Sequence, residues 1–363
     1  MAYTTINKST DYFNTVLYTG DSATSTAGTL ARTISGVGFQ PDFVWVKGRA
    51  AGGYDSHGLH DVVRTAPKWL RSDNTDQEYD VRTGFGSGGV GSFTSDGFGI
   101  FSGTGGTTTN YNTNNINYVA WNWLAGGSQG SSNTDGSTNT TYTSVNTTAG
   151  ISISTYTGTG SAATIGHGLG AVPKMMLVKC RSNADTWAVY HADVGATKYL
   201  ELDTTAAAQT STQPWNDTAP TSSVFTVGDW SATNGSSRTY VAYCFAEKTG
   251  HSKFGKYTGN GNADGVFVHT GFKPSWLMVK RYDGGANNWL ILDNKRDPIN
   301  QMGKGLLPDA TNAEASGYHC DFLSNGFKFR LSGSGENGSG YTYIYAAFGQ
   351  SLVGTNNIPC TAR

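Results

Sequence analysis

Gly38-Phe39-Gln40-Pro41-Asp42-Phe43-Val44-Trp45-Val46-Lys47-Gly48-Arg49 decides how this chain is read, because the pattern occurs three times. It returns as Gly168-Leu-Gly-Ala-Val-Pro-Lys-Met-Met-Leu-Val-Lys-Cys-Arg181 and as Gly271-Phe-Lys-Pro-Ser-Trp-Leu-Met-Val-Lys-Arg281. Each copy runs from Gly through an apolar residue and a Pro into an apolar stretch that ends in Val-Lys. Proline cannot donate to a strand ladder, so it marks the strand's entry. The residues behind it are apolar at successive positions, not alternate ones. Such a strand is buried on both faces and belongs inside a layered β structure.

Other elements recur around this strand in constant order. Tyr18-Thr-Gly20, Tyr156-Thr-Gly158 and Tyr257-Thr-Gly259 precede it. Lys68-Trp-Leu-Arg-Ser-Asp73, Lys198-Tyr-Leu-Glu-Leu-Asp203 and Lys304-Gly-Leu-Leu-Pro-Asp309 follow, leaving room for one hairpin with strand material at Leu59–Val63, Trp187–Tyr190 and Trp289–Leu292. Next come Phe93-Thr-Ser-Asp-Gly-Phe98 and Phe322-Leu-Ser-Asn-Gly-Phe327, whose Asp-Gly and Asn-Gly dipeptides are hairpin signals. The second copy, Val224-Phe-Thr-Val-Gly-Asp-Trp230, lacks that dipeptide, so a different turn is expected. Tyr118-Val-Ala-Trp-Asn-Trp123, Tyr240-Val-Ala-Tyr-Cys-Phe245 and Tyr343-Ile-Tyr-Ala-Ala-Phe348 close the copies, with aromatics on one sheet face.

A repeat of about 100 residues is far longer than a solenoid unit and long enough for its own core. With no amphipathic helix of useful length, the expected fold is all-β: three tandem domains of β-sandwich or jelly-roll type. The expected division is an N-terminal arm at 1–14, repeats at 15–125, 150–250 and 251–350, a Gly/Ser/Thr/Asn linker at 126–149 and a tail at 351–363. The linker reads as flexible. Repeats two and three, with almost no junction, are expected to pack as a unit.

Composition agrees. Glycine accounts for 49 of 363 residues, charged residues for 14% and aromatics for 12%, which suits many short strands joined by small polar turns. Net charge is −1 and no basic cluster occurs, which argues against nucleic-acid binding. No apolar run reaches membrane-span length, and the first residues carry no signal-peptide core. Cys180, Cys244, Cys320 and Cys360 form no Cys-x-x-Cys pair and read as free thiols of a chain made in a reducing cytoplasm. The Asn-x-Ser/Thr triplets at Asn139, Asn146, Asn216, Asn234 and Asn337 read as a by-product of composition.

Chemistry is sparse. There is no phosphate-loop or nucleophile-elbow motif, and Gly84–Gly91 reads as a flexible hairpin loop. His57-Gly-Leu-His60-Asp61 is the densest group of metal-capable residues, but its extended setting favours polar loop residues over a metal site. Asp73, Asp203 and Asp309, or Asp61, Asp193 and Asp293, could supply glycosidase carboxylates. Repetition argues against this, and turn capping is the simpler role for the first set. Lys47, Lys179 and Lys280 read as strand-end lysines snorkelling to solvent. No catalytic residue, metal or cofactor is expected. Tyr54, Tyr111, Trp215 and Tyr282 lie in polar stretches outside the repeat, so they are the candidate contact residues for a sugar ring or a partner protein. Function is best sought where the copies disagree: at 101–116, at 126–150 and in the loops of Trp215 and Tyr282.

The series Gly38-Phe-Gln-Pro-Asp-Phe-Val-Trp-Val-Lys-Gly-Arg49, Asp61-Val-Val-Arg64, Ser72-Asp-Asn-Thr75, Phe93-Thr-Ser-Asp-Gly-Phe98 and Tyr118-Val-Ala-Trp-Asn-Trp123 resembles a domain of tailed-bacteriophage virion proteins, especially from phages of marine bacteria and cyanobacteria. The match is dense over residues 1–127; repeats two and three resemble diverged copies without the Asp-Val-Val-Arg stretch. The resemblance implies a concanavalin A-like, LamG-type sandwich in a virion structural protein, often of tail-fibre type. It brings no catalytic motif. The implied partners are other virion proteins and host-surface polysaccharide, with a homotrimer favoured. The polar, non-repeated character of the arm at 1–14 marks it as the expected particle anchor. Head decoration and polysaccharide depolymerisation are the alternative roles.

Overall fold

The computed structural model describes residues 4–50 and 56–351. The protein is nearly all β, built of antiparallel sheets, and the three repeats are laid out alike. Each has an inner sheet in the spatial order opening, closing, central and lateral strand. In repeat one these are Phe13–Thr19, Asn117–Trp123, Phe43–Gly48 and Gly58–Asp61. In repeat two they are Ile151–Thr157, Thr239–Phe245, Met175–Cys180 and Trp187–His191; in repeat three, Ser252–Thr258, Thr342–Gln350, Lys273–Arg281 and Trp289–Asp293. A smaller outer sheet covers one face of each. Repeats one and three use three strands there, including the hairpins Gly89–Thr94 with Gly97–Phe101 and Cys320–Leu323 with Gly326–Phe329. Repeat two pairs only Ala163–Gly166 with Val224–Val227, the outcome of losing its turn dipeptide.

The central strands are buried at every position in repeats one and two and from Trp276 onward in repeat three, and their two faces serve two different cores. Val44 and Val46 enter a cluster between the sheets of repeat one, and Met176, Val178, Leu277 and Val279 do the same in repeats two and three. The alternate residues, Phe43, Trp45, Met175, Leu177, Trp276 and Met278, meet in a single cluster shared by all three repeats. Trp121, Tyr243 and Ala346 of the closing strands join it. The inner sheets thus face one another around a pseudo-threefold axis. Packing there is close, leaving a void of about 10 Å³.

Three seams close this ring with matching hydrogen bonds. Lys179 Nζ donates to Thr75 O (3.0 Å), Lys280 Nζ to Thr205 O (3.0 Å) and Lys47 Nζ to Thr311 O (3.1 Å). Trp187 Nε1 donates to Arg71 O (2.7 Å), Trp289 Nε1 to Glu201 O (2.8 Å) and His57 Nε2 to Leu307 O (2.9 Å). Glu78, Ala208 and Glu314 donate backbone N–H groups to the carbonyls of Arg181, Tyr282 and Arg49, at 2.9, 2.9 and 2.8 Å. In each seam the Lys-to-Asp segment of one repeat is gripped by the central and lateral strands of the next. Repeats two and three do pack together, as do the other two pairs.

Residues 126–149 are integrated into the fold. Tyr142–Asn146 adds an edge strand to the inner sheet of repeat two, and Gln129 Nε2 donates to Val63 O at 2.7 Å. From Thr4 onward the arm packs on the end of repeat two and on the third repeat. Thr4 Oγ1 donates to Thr249 O (2.7 Å), Ser9 N to Gln350 Oε1 (2.7 Å), and Ser9 Oγ meets His251 Nδ1. Cys180, Cys244 and Cys320 are buried free thiols, while Cys360 lies outside the described residues.

Candidate functional site

The ionisable residues that recur are committed to the ring. Lys47, Lys179 and Lys280 are fully buried and do not snorkel. The parity of the central strand turns them toward the axis, where a neighbour's carbonyl receives each ammonium group. Lys179 also donates to Asp185 O (2.7 Å) and Lys280 to Asn287 O. Burial lowers both lysines to about 8, nearby carboxylates opposing the shift. Asp203 accepts Thr186 Oγ1 (2.6 Å) and Trp187 N (3.0 Å), and Asp309 accepts Trp289 N (3.2 Å) and Asn288 Nδ2 (3.1 Å). These aspartates hold the start of the lateral strand instead of capping a turn. Burial raises Asp73 and Asp309 to about 6.

His57 and His60 are both buried. Trp45 Nε1 donates to His57 Nδ1 at 2.9 Å while His57 Nε2 donates across the seam, so both ring nitrogens are used and the ring is neutral. Burial, helped by the charge of Lys47, holds its pKa well below the usual histidine value. His60 Nδ1 donates to Ala66 O at 2.9 Å, and burial lowers it to about 3. Neither ring is arranged as part of a metal cluster, and among the described residues no such cluster occurs.

Strand register corrects the second aspartate set. Asp61, His191 and Asp293 stand opposite Phe43, Met175 and Trp276, so His191 and not Asp193 holds the equivalent place in repeat two. Asp61 pairs with Arg64 (2.5 Å), and Asp293 pairs with Arg296 in the same way (2.5 Å). The third repeat therefore keeps the Asp-x-x-Arg device expected to be confined to the first. Tyr243 donates to Asp61 (2.6 Å) and Trp121 Nε1 to Asp293 (3.0 Å), while His191 Nε2 donates to Tyr345 O (3.2 Å), all across seams. Two seams carry a further ion pair. Arg181 meets Glu78 and Arg49 meets Glu314, each through two hydrogen bonds of 2.9 and 3.0 Å. The remaining seam has Ala208 and Tyr282 there.

The candidate contact aromatics do not converge. Tyr111 is fully buried in the cluster of repeat one, edge-on to Trp69 at 6.4 Å, because the short helix Thr109–Asn112 folds over that cluster. Trp215 is 1% exposed and lies edge-on to Tyr190 at 5.9 Å. Their polar sequence neighbours concealed two core residues. Tyr282 is half-buried in the seam between repeats two and three, packed on the shared cluster. Tyr54 lies outside the described residues.

Open concave surface lies elsewhere, where the central strand of repeat three enters. There Asn294 N donates to Ser275 O (3.0 Å), as Val62 N does to Asp42 O and Ala192 N to Lys174 O in the other repeats. Two hollows of about 360 and 250 Å³ adjoin at this corner, both lined by Asn294 and Lys295. Lys273, Pro298, Asn300, Met302 and Phe322 complete the larger one; Ser9, Asn14 and Gln350 help to wall the smaller. Neither Lys273 nor Lys295 makes an ion pair among the described residues, whereas the adjacent Arg296 is held by Asp293 and Glu314. Sequence reasoning missed this corner, since it placed function on aromatics. The signal available was the pair of substitutions Gln40 to Lys273 and Val63 to Lys295 between equivalent positions.

A comparison with curated proteins finds no match. One family model, described as "Domain of unknown function (DUF7483)", matches residues 8–351 and so takes in all three repeats together. Since that match covers nearly the whole chain, the protein belongs to the DUF7483 family.

Proposed function

We propose that the protein is a non-enzymatic structural component of a tailed-phage particle, of tail-fibre or adhesin type, and that it presents the corner cleft of its third repeat to host-surface glycans. The sequence resemblance over residues 1–127 supports the particle assignment. The observation that carries the binding role is the contrast between buried and open charge. The recurring lysines and Asp-x-x-Arg pairs are spent on closing the ring, while Lys273 and Lys295 line an open hollow and make no ion pair among the described residues. The ring gives such a surface a rigid mount. It also builds within one chain the threefold core that a fibre commonly builds from three, so the further copies of a homo-oligomer would meet through the outer faces.

Immunogold labelling of intact particles tests the reading. Label at tail tips, together with binding of the purified protein to host cells, is the expected result. Label over the head would replace it with a decoration role, and release of reducing ends from host polysaccharide would replace it with an enzyme.

A further inference from the structure

We infer that the corner cleft of the third repeat is a binding site for an acidic saccharide, an inference that rests on the glycan-binding reading above and specifies its ligand. The argument starts from the residues that line the corner. At the positions of Gln40 and Val63 of repeat one, repeat three carries Lys273 and Lys295, and among the described residues these line a hollow of about 360 Å³. That volume lies in the range of small-ligand sites.

Its walls define the ligand. Two ammonium groups without a carboxylate partner among the described residues call for an anion. The Asn294 amide can both donate to and accept from hydroxyl groups. Met302 and Phe322 form a fixed apolar floor, with Asn300 clamped to the backbone of Phe322 by bonds of 3.0 and 3.1 Å. Carboxylate, hydroxyls and an apolar ring face occur together on an acidic sugar. The second hollow, which shares Asn294 and Lys295 as lining, adjoins the first and offers room for a neighbouring residue of the same oligomer. An acidic peptide fits less well. The lateral strand beside the cleft is already bridged by Leu306, with bonds of 2.8 and 3.1 Å to Ile291, so peptide binding by strand addition has no free edge there.

Titration calorimetry of the full chain with oligogalacturonate, a neutral maltooligosaccharide of equal length and polyglutamate tests the site. Oligogalacturonate is expected to bind, more weakly as salt rises, and the neutral oligosaccharide is expected not to. Lys273→Gln and Lys295→Gln are each expected to weaken binding about tenfold, as loss of one charge-assisted contact does, with thermal unfolding unchanged. A chain ending at Ser351 is expected to bind as the full chain does. Equal binding of the neutral oligosaccharide, tighter binding of polyglutamate, indifference to the lysine variants, or loss of binding with residues 352–363 would each overturn the inference. Binding through the two lysines by a protein that labels away from the tail would uphold this site and refute the tail-fibre assignment.

Discussion

Gly20, Gly158 and Gly259 end the three Tyr-Thr-Gly triplets at points where another backbone passes too closely for a side chain. A Cβ on each would overlap the carbonyl oxygen of Thr113, Gly235 or Gly338. The crowding comes from an Asn six residues before each closing tyrosine. Asn112, Asn234 and Asn337 are buried and tie the triplet's loop down; Asn234, for example, accepts Thr159 N (2.8 Å) and donates to Ser161 O and Gly228 O (both 2.6 Å). Gly158→Ala is therefore expected to cost about 2 kcal/mol by overpacking, read from urea unfolding; a loss below about 0.5 kcal/mol would show that the loop yields. The asparagine spacing was legible in the sequence, but two of the three sit in Asn-x-Ser triplets that composition seemed to explain. His57 offers a test by pH. Its folded-state pKa lies below the unfolded value of about 6.5, so between the two the unfolded chain binds the extra proton and stability rises with pH. His57→Gln, which can keep the bond to Leu307 O, is expected to flatten that rise below about pH 6.5 by up to one proton, or about 1.4 kcal/mol per pH unit. An unchanged slope would mean that the ring is charged in the fold.

At the scale of the elements, the seams differ where the repeats have diverged. Glu78 and Glu314 each bridge two arginines, one from each side of a seam, and Arg64 and Arg296 among them have fully buried side chains. Removing either carboxylate leaves buried guanidinium charge undercompensated. Glu78→Gln and Glu314→Gln are each expected to cost about 2 kcal/mol, reduced from the fully buried case because Arg181 and Arg49 are partly exposed. Ala208→Ser, at the equivalent place in the seam that lacks this ion pair, is expected to stay within about 0.5 kcal/mol. Equal effects at all three places in denaturant titrations would remove the distinction. The sequence showed that the central strands are buried on both faces. It could not show what covers the second face, because a period-two pattern records burial and not the identity of the partner. The strand-end lysines were misread for the same reason: a buried and a snorkelling lysine look alike until the neighbouring repeat is in place.

At the scale of the molecule, the shared cluster bears on how independent the repeats are. Each repeat has a private core between its own sheets, so each resembles a domain in sequence. Yet Met175, Leu177, Trp187, Val189, Tyr243 and Phe245 of repeat two belong to the common core. Excising that repeat would bare these six side chains together with the buried ammonium group of Lys179. Fully burying an aliphatic or aromatic side chain is worth about 1.5–3 kcal/mol, so the exposed face forfeits an amount comparable to the whole stability of a small domain, about 5–15 kcal/mol. A fragment spanning 150–250 is therefore expected to be unfolded, or to associate through the exposed face, when studied by circular dichroism and sedimentation. The intact chain is expected to melt in one calorimetric transition, with the van't Hoff and calorimetric enthalpies in agreement. A folded, monomeric fragment, or three separable transitions, would instead mean that the private cores suffice and that the seams merely dock finished domains.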